Sequence, residues 1–351
     1  MKNTTKITGF LLLVLSLMIS VTAKADEVER TLAQKKFDVN KDALLSVEHK
    51  FGKVECKNWD EMAISVKVNA TVRARGAEKA NKIMERIEVK IGGNRNGVSV
   101  ETDLAKKLFE GNDNEVSIDI EIMMPENVRL EFDHQFGNAF IESATGPSSI
   151  SSQYGSIEIK SLKARANEIE IGFGEARIDY IGGGDLEISY SSAEVGEAVQ
   201  LTIESDYSNV SVDKVESLEI ENEGGNVELG DVGVVELSSK FSEFKIETLS
   251  RMMTAETEYG SLKVRNISAD FSVIVVENSF GSVKLAFESQ ASFNLVAELE
   301  FCDLNYPDSR AQFSQRISEA TEKYYKGTFG KGKVSGNVNI ESSFGNVSIE
   351  M

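Results

Sequence analysis

One short phrase returns along this chain, and it constrains the fold more than any other feature. Tyr259-Gly260-Ser261-Leu262-Lys263-Val264 shows it: an aromatic, a small residue, a spacer, then two apolar residues in alternation. The pattern stands again at Phe51, Phe136, Tyr154, Phe173, Tyr190, Tyr207, Phe241, Phe280, Phe301 and Phe344. A twelfth copy, Gly224-Gly225-Asn226-Val227-Glu228-Leu229, keeps the pattern and lacks the ring. From Phe136 to Phe301 successive copies lie 17 to 21 residues apart. A period of that size marks an array of small units, each burying its apolar face against its neighbours. We therefore expect an all-β chain: a single β-solenoid, or β-helix, of about twelve copies, right-handed winding favoured.

Counting from the aromatic as position zero, the columns of the array can be read one by one. Position +1 is always small (Gly52, Gly137, Gly155, Gly174, Ser191, Ser208, Gly225, Ser242, Gly260, Gly281, Cys302, Gly345), as a tight corner requires. Positions −4, +3 and +5 are apolar almost throughout, which gives two strands with one buried face each, joined by a sharp bend. Extending the alternation to position zero points the rings inward, as a structural ladder of offset stacks. Position −3 is acidic in ten of twelve copies and faces out; it includes Glu170, Glu187, Glu204, Glu221, Glu256 and Glu277. Like charges on neighbouring strands repel. Solvent and salt, the bases of the second strand (Lys53 at +2; Arg177, Lys245, Lys263 and Lys284 at +4) or bound cations must offset this. Carboxylate oxygens suit Ca²⁺, so those six glutamates are the candidate metal-binding residues.

Residues 1–25 carry Lys2 and Lys6, an apolar run from Gly9 to Val21, and Ala23-Lys24-Ala25. They read as a secretory signal peptide cleaved before Asp26, with a run too short to span a membrane comfortably. The mature chain then has no transmembrane segment. The formal net charge of −19 becomes more negative once the leader's lysines are gone, which argues against nucleic acid and anionic membranes as partners. Cys56 and Cys302, in the first and eleventh copies, are expected to be free thiols. Residues 26–135 read as an N-terminal capping and first solenoid segment with a helix near 76–87 (Ala77, Ala80, Ile83, Met84 and Ile87 on one stripe). Residues 136–351 read as the regular solenoid. An insertion at 307–333 interrupts it; Phe313, Ile317, Ala320 and Tyr324 are spaced there for one face of a short helix. The last copy, Val338–Ile349, is expected to end the array as a strand with an open edge.

Other motifs carry little chemistry. Gly327-Thr328-Phe329-Gly330-Lys331-Gly332-Lys333 approaches a P-loop, but Val334 stands where Ser or Thr should hold magnesium, and a strand pattern follows instead of a helix. A loop is the expectation. The only histidines, His49 and His134, occupy position −2, a column otherwise rich in Ser, Thr and Asn that bond a local bend; stacked as neighbours, they could share a metal. No Ser/His/Asp arrangement, Cys/His pair or zinc spacing is visible. The period does not fit acyltransferases of the left-handed β-helix type. Nor does a uniform acidic column supply the individually tuned groups that polysaccharide lyases use.

The whole mature chain resembles the bacterial family of putative adhesins, a domain of unknown function typical of secreted Bacteroidetes-type β-solenoids. The resemblance rests on the signal peptide, Val47-Glu48-His49-Lys50-Phe51-Gly52-Lys53-Val54-Glu55 with Trp59-Asp60, the strand–helix–strand segment near 62–91, the repeated Phe-Gly-x-Val phrase, and Ser343-Phe344-Gly345-Asn346-Val347-Ser348-Ile349. It implies an exported, non-enzymatic protein of the periplasm or cell surface of a Gram-negative bacterium, with no catalytic residues to carry over. Three functions follow as expectations. The first is an adhesin-like scaffold that contacts an envelope or surface protein or glycan through its long faces. The second is an envelope-stress or regulatory module that binds a partner protein through the insertion or the terminal edge. The third is a polysaccharide-active β-helix enzyme.

Overall fold

The computed structural model describes residues 26–104 and 114–351; the expected signal peptide lies outside them. Nearly everything described is strand, joined in one large mixed sheet that does not close, with a single α-helix. The phrase explains the pairing. In β2 (Leu44–Asn58) and β7 (Arg129–Ala144) the copies at Phe51 and Phe136 run parallel with like positions opposed: Val47 faces Phe132, Glu48 faces Asp133, His49 faces His134, Gly52 faces Gly137. The same in-register parallel pairing carries β7 onto β8 (Ser148–Leu162). From β8 it passes to β9 (Glu168–Gly172) and to β10 (Glu175–Ser189), and then to the long β11 (Ser192–Glu258). From β11 it continues into β12 (Ser261–Ile267) and β13 (Val273–Ser279).

The core is what the columns require. Val210, Val212, Phe244, Ile246, Leu262, Val264, Val283 and Leu285, from positions +3 and +5, are buried in one continuous apolar cluster with Ile150, Ile169, Leu186, Ile203 and Ile220 from position −4. Small corners are required by close approach. A Cβ on Gly155 would sit 1.8 Å from the carbonyl oxygen of Gly137, and one on Gly137 1.9 Å from that of Gly52. Where serine fills the column, its hydroxyl is used instead. Ser208 Oγ donates to the Asp206 carbonyl at 2.7 Å and accepts the Ser191 amide at 3.0 Å.

The strands near the N-terminus pair antiparallel. β1 (Asp26–Asp38) pairs with β3 (Ala63–Ala74), which pairs with β6 (Glu115–Met124), and β4 (Ile87–Asn94) pairs with β5 (Gly97–Leu104). β5 and β6 then lie parallel against the two halves of β2 and lead into the array. The expected helix is present as α1 (Ala77–Met84), which buries Ala80, Ile83 and Met84 against β1 and β3. Ile87, placed on its stripe, instead opens β4.

Two expectations at the other end fail. The insertion holds a β-hairpin, β17 (Ala311–Ser318) and β18 (Glu322–Phe329), in place of a helix. Tyr325 and Phe329 are buried in an aromatic cluster with Tyr306 and Phe313, and β18 pairs antiparallel with β15 (Phe293–Glu300). Backbone partners along β15 satisfy a strand where an isolated short helix would leave the end of the sheet uncovered. The last copy is not an open edge either. Its strands β19 (Gly336–Ser343) and β20 (Val347–Glu350) slot between earlier ones. β19 pairs with β13 on one side and β15 on the other. β20 lies between β14 (Ser282–Phe287) and β16 (Leu304–Asn305). The spatial order of copies is therefore 259, 280, 344, 301.

Candidate contact surface

The aromatic at each corner adopts a backbone that L-residues avoid. Phe51, Phe136, Tyr154, Phe173, Tyr190, Tyr207, Phe241, Tyr259, Phe280, Phe301 and Phe344 all have φ between +49° and +67°. Bulky residues there are strained by about 1–2 kcal/mol each. The corner is held by backbone bonds across copies: the Phe173 amide donates to the Ser189 carbonyl at 3.1 Å, Tyr190 to Asp206 at 3.0 Å, and Tyr259 to Ser279 at 2.9 Å.

That backbone overturns the inward reading of the rings. Positions −4 and −2 point into the core, and simple alternation would send position zero the same way. The left-handed residue breaks the alternation and turns its Cβ outward. All the rings but Phe51 are exposed, by 42% at Phe136 to 61% at Phe241. They still stack. Neighbouring centroids lie 4.8 to 5.5 Å apart with planes 2° to 13° from parallel, from Phe51 to Tyr207 and again from Phe241 through Tyr259, Phe280 and Phe344 to Phe301. At one rung per strand spacing, the ladder is roughly 50 Å long. Its rings face one another, so solvent meets ring edges and tyrosine hydroxyls, and ring faces are free only where the stack is interrupted.

Beside the ladder run two unlike electrostatic surfaces. On the strand after the corner, acids and bases interleave between copies: Lys160 with Asp179 at 2.9 Å, Arg177 with Glu194 at 3.2 Å, Lys214 with Glu197 at 2.8 Å, Lys245 with Glu228 at 3.2 Å, Arg265 with Glu247 at 3.0 Å, and Lys284 with Glu350 at 2.6 Å. These exposed pairs are each worth less than about 1 kcal/mol. Of the bases at +4, Arg177, Lys245 and Lys284 are thus engaged after the corner and do not neutralise the acidic column. On the strand before the corner, that column is aligned in register: Glu170 faces Glu187, Glu187 faces Glu204, and Glu256 faces Glu277. Of the six candidate glutamates, only Glu170 has a side-chain partner among the described residues, from Ser151 and Gln153. They form a line and do not converge; among the described residues, no three acidic, histidine or cysteine side chains gather around one point.

Under the same strand lies a buried polar column. Ser205, Asn222 and Ser239 are joined by side-chain bonds of 3.4 Å, and Thr257, Asn278 and Ser342 by bonds of 2.9 Å. His49 and His134 belong to it, fully buried, with ring centroids 5.5 Å apart in a stack. Stacked rings send their in-plane nitrogens along separate lines, which does not favour a shared metal. His49 Nδ1 is 2.8 Å from Thr102 Oγ1, and His134 Nε2 is 3.1 Å from the Gly52 carbonyl. Burial and the neighbouring His134 push the His49 pKa down to about 3, and burial lowers that of His134. Both cysteines are free and buried, and Cys302 fills its corner as a small residue.

No family model and no curated protein matches the chain. Solved structures similar to it include a putative cell adhesion protein of Clostridium sporogenes (12% identity, 93% of this chain and 99% of that one, TM-score 0.19). Two more are putative adhesins, from Bacteroides fragilis (10%, 93% and 98%, 0.23) and Parabacteroides merdae (10%, 91% and 96%, 0.29). TM-scores this low carry no function across, and what this chain does must rest on its own surface.

Proposed function

We propose that the chain is a β-solenoid of twelve coils, capped over 26–135 and regular over 136–351, that works without catalysis as an adhesin-like contact scaffold of the cell envelope. One observation carries the reading: ten aromatic rings held in strained backbone and turned toward solvent. Strain of this kind persists where function uses it, and a long exposed apolar line marks a contact surface. Stacking keeps the ring faces from sugars along most of the ladder, which favours a polypeptide partner over a glycan. The acidic column beside it would draw cations or a basic partner. The test uses residues 26–351 with Tyr154→Ser, Phe173→Ser and Tyr190→Ser together. Retention of cells or envelope fractions on the immobilised protein should drop at least tenfold while the circular dichroism is unchanged; undiminished retention by the folded variant refutes the ladder as the contact surface.

A second reading, a regulatory module that binds a protein, is favoured by the hairpin. β17 is an exposed terminal strand beside a hollow of about 580 Å³ lined by Gln315, Ile317, Glu319, Glu298 and Glu341. Deleting the hairpin would remove Phe329 and uncover Phe293, which stacks on it. The better test is Gln315→Pro, which blocks strand addition at this edge.

A further inference from the structure

The ladder is interrupted once. At the twelfth copy the ring is replaced by Gly224, which keeps the left-handed backbone (φ 75°) of its aromatic counterparts. Tyr207 and Phe241 therefore flank a rung with no side chain. A Cβ on Gly224 would lie 3.1 Å from Tyr207 Cδ1, so the Tyr207 ring forms one wall directly over this backbone. Gly224 is itself buried beneath that ring, and it carries no side chain where each other rung carries one aromatic ring. Tyr207 and Phe241, on either side of it, are the two most exposed rings of the ladder, at 58% and 61%.

Charge selects the occupant. On the strand before the corner lies a hollow of about 280 Å³ whose lining stops one residue short of the rung and includes Glu187, Glu204, Asp206, Glu221 and Glu223, with Lys240 as the only base. None of these five carboxylates has a side-chain hydrogen bond or ion pair among the described residues, in contrast to the paired charges after the corner. Asp206, Glu223 and Lys240 immediately precede Tyr207, Gly224 and Phe241, so exposed acids adjoin the vacant rung along the chain. Arginine combines what both features ask for: a planar, weakly hydrated cation that stacks on aromatic faces and pairs with carboxylates through two parallel N–H donors. A lysine ammonium is not planar, and a phosphate is repelled.

We infer that the vacant rung at Gly224 is a binding slot for an arginine side chain of a partner protein, its guanidinium between Tyr207 and Phe241 and its N–H groups toward Asp206 and Glu223. This deepens the scaffold reading by naming the partner's chemistry, and it is tested apart from it. The probe is acetyl-Gly-Arg-Gly-amide, titrated into residues 26–351 while the amide resonances of Gly224 and Gly225 are followed. Lysine and tyrosine versions of the peptide and a neutral chito-oligosaccharide serve as comparisons. We expect saturable shifts with arginine, at least fivefold weaker with lysine, and a tenfold or greater loss in Gly224→Phe, which fills the rung. Phe241→Leu, which removes one wall without touching Gly224, should weaken arginine at least threefold, as should Asp206→Asn with Glu223→Gln. Equal binding of lysine and arginine, tighter binding of tyrosine or the oligosaccharide, or full arginine binding in folded Gly224→Phe would each overturn the slot. None of these results bears on the Tyr154/Phe173/Tyr190 test, so the two readings fail separately.

Discussion

Strain at the corners makes glycine and alanine trade their usual places. Tyr259 stacks on Phe241 at 5.1 Å and on Phe280 at 4.8 Å, and its backbone has φ 54°. Removing the ring forfeits two stacking contacts of about 0.5–1.5 kcal/mol each. The ring is 46% exposed, so lost burial adds only about 1 kcal/mol. Tyr259→Ala should therefore destabilise by about 2–4 kcal/mol. Tyr259→Gly loses the same contacts but relieves about 1–2 kcal/mol of left-handed strain. Against that gain stands the extra freedom of glycine in the unfolded chain, about 0.5–1 kcal/mol. The glycine variant should thus be the more stable of the two by about 0.5–1 kcal/mol. At Lys263, an ordinary strand position of the same copy, the order should reverse, with glycine below alanine. Urea denaturation followed by circular dichroism reads both pairs through their midpoints, provided the slopes agree. If alanine equals or exceeds glycine at position 259, the corner backbone is not strained in the way its dihedral implies, and the case for a retained contact surface loses its support.

Three further outcomes follow. His49 is held neutral when folded, with a pKa of about 3 against 6.5 for a free histidine, so the unfolded chain binds the extra proton between those values. Its contribution is complete above pH 6.5 and is lost as pH falls, by about 2 kcal/mol at pH 5; a denaturation series in which His49→Asn flattens that slope would bear this out, and an unchanged slope would not. Gly155→Ala forces a Cβ to within 1.8 Å of the Gly137 carbonyl and should cost at least about 2 kcal/mol by thermal or urea midpoint. The unpaired acidic column repels itself, so Glu187→Gln, Glu204→Gln and Glu221→Gln together should raise the midpoint at low salt and lose that advantage at high salt. A larger gain of the parent protein from millimolar calcium than from sodium at equal ionic strength would assign cation bridging to these glutamates, and equal gains would assign screening alone.

Much of this architecture is visible in the residue pattern because burial imposes it at every copy. Val283 and Leu285, the small residue at Gly281 and the acid at Glu277 each occupy a position that the period alone places correctly. α1 is legible for the same reason, since its apolar stripe breaks the strand period. Ring direction was not legible, because one positive φ at Phe280 or Tyr190 reverses what alternation predicts, and hydrophobicity does not encode the sign of φ. In the insertion, Phe313 and Ile317 fit a helical face, but they fit a strand at double spacing as well, and pairing with β15 decided between them. β1 was missed because most of its residues are exposed and charged, so its strand character comes from its antiparallel partner β3. The missing ring at Gly224 was visible from the start as a defect in a pattern; only the outward turn of Tyr207 and Phe241 makes it an opening.

The placement of β19 and β20 has a consequence for assembly. Residues 336–350 fill a gap between strands made some fifty residues earlier, leaving β13 and β15 with an unmatched edge each until they arrive. The end of the array cannot then mature in the order in which it leaves the ribosome. The hairpin β17–β18 can dock on β15 first, but the layer beneath it waits for the tail. The tail behaves as a latch: residues 336–350 join the terminal block to the rest of the array, and cutting before Gly336 would cleave the ladder between Phe280 and Phe301 instead of trimming its tip.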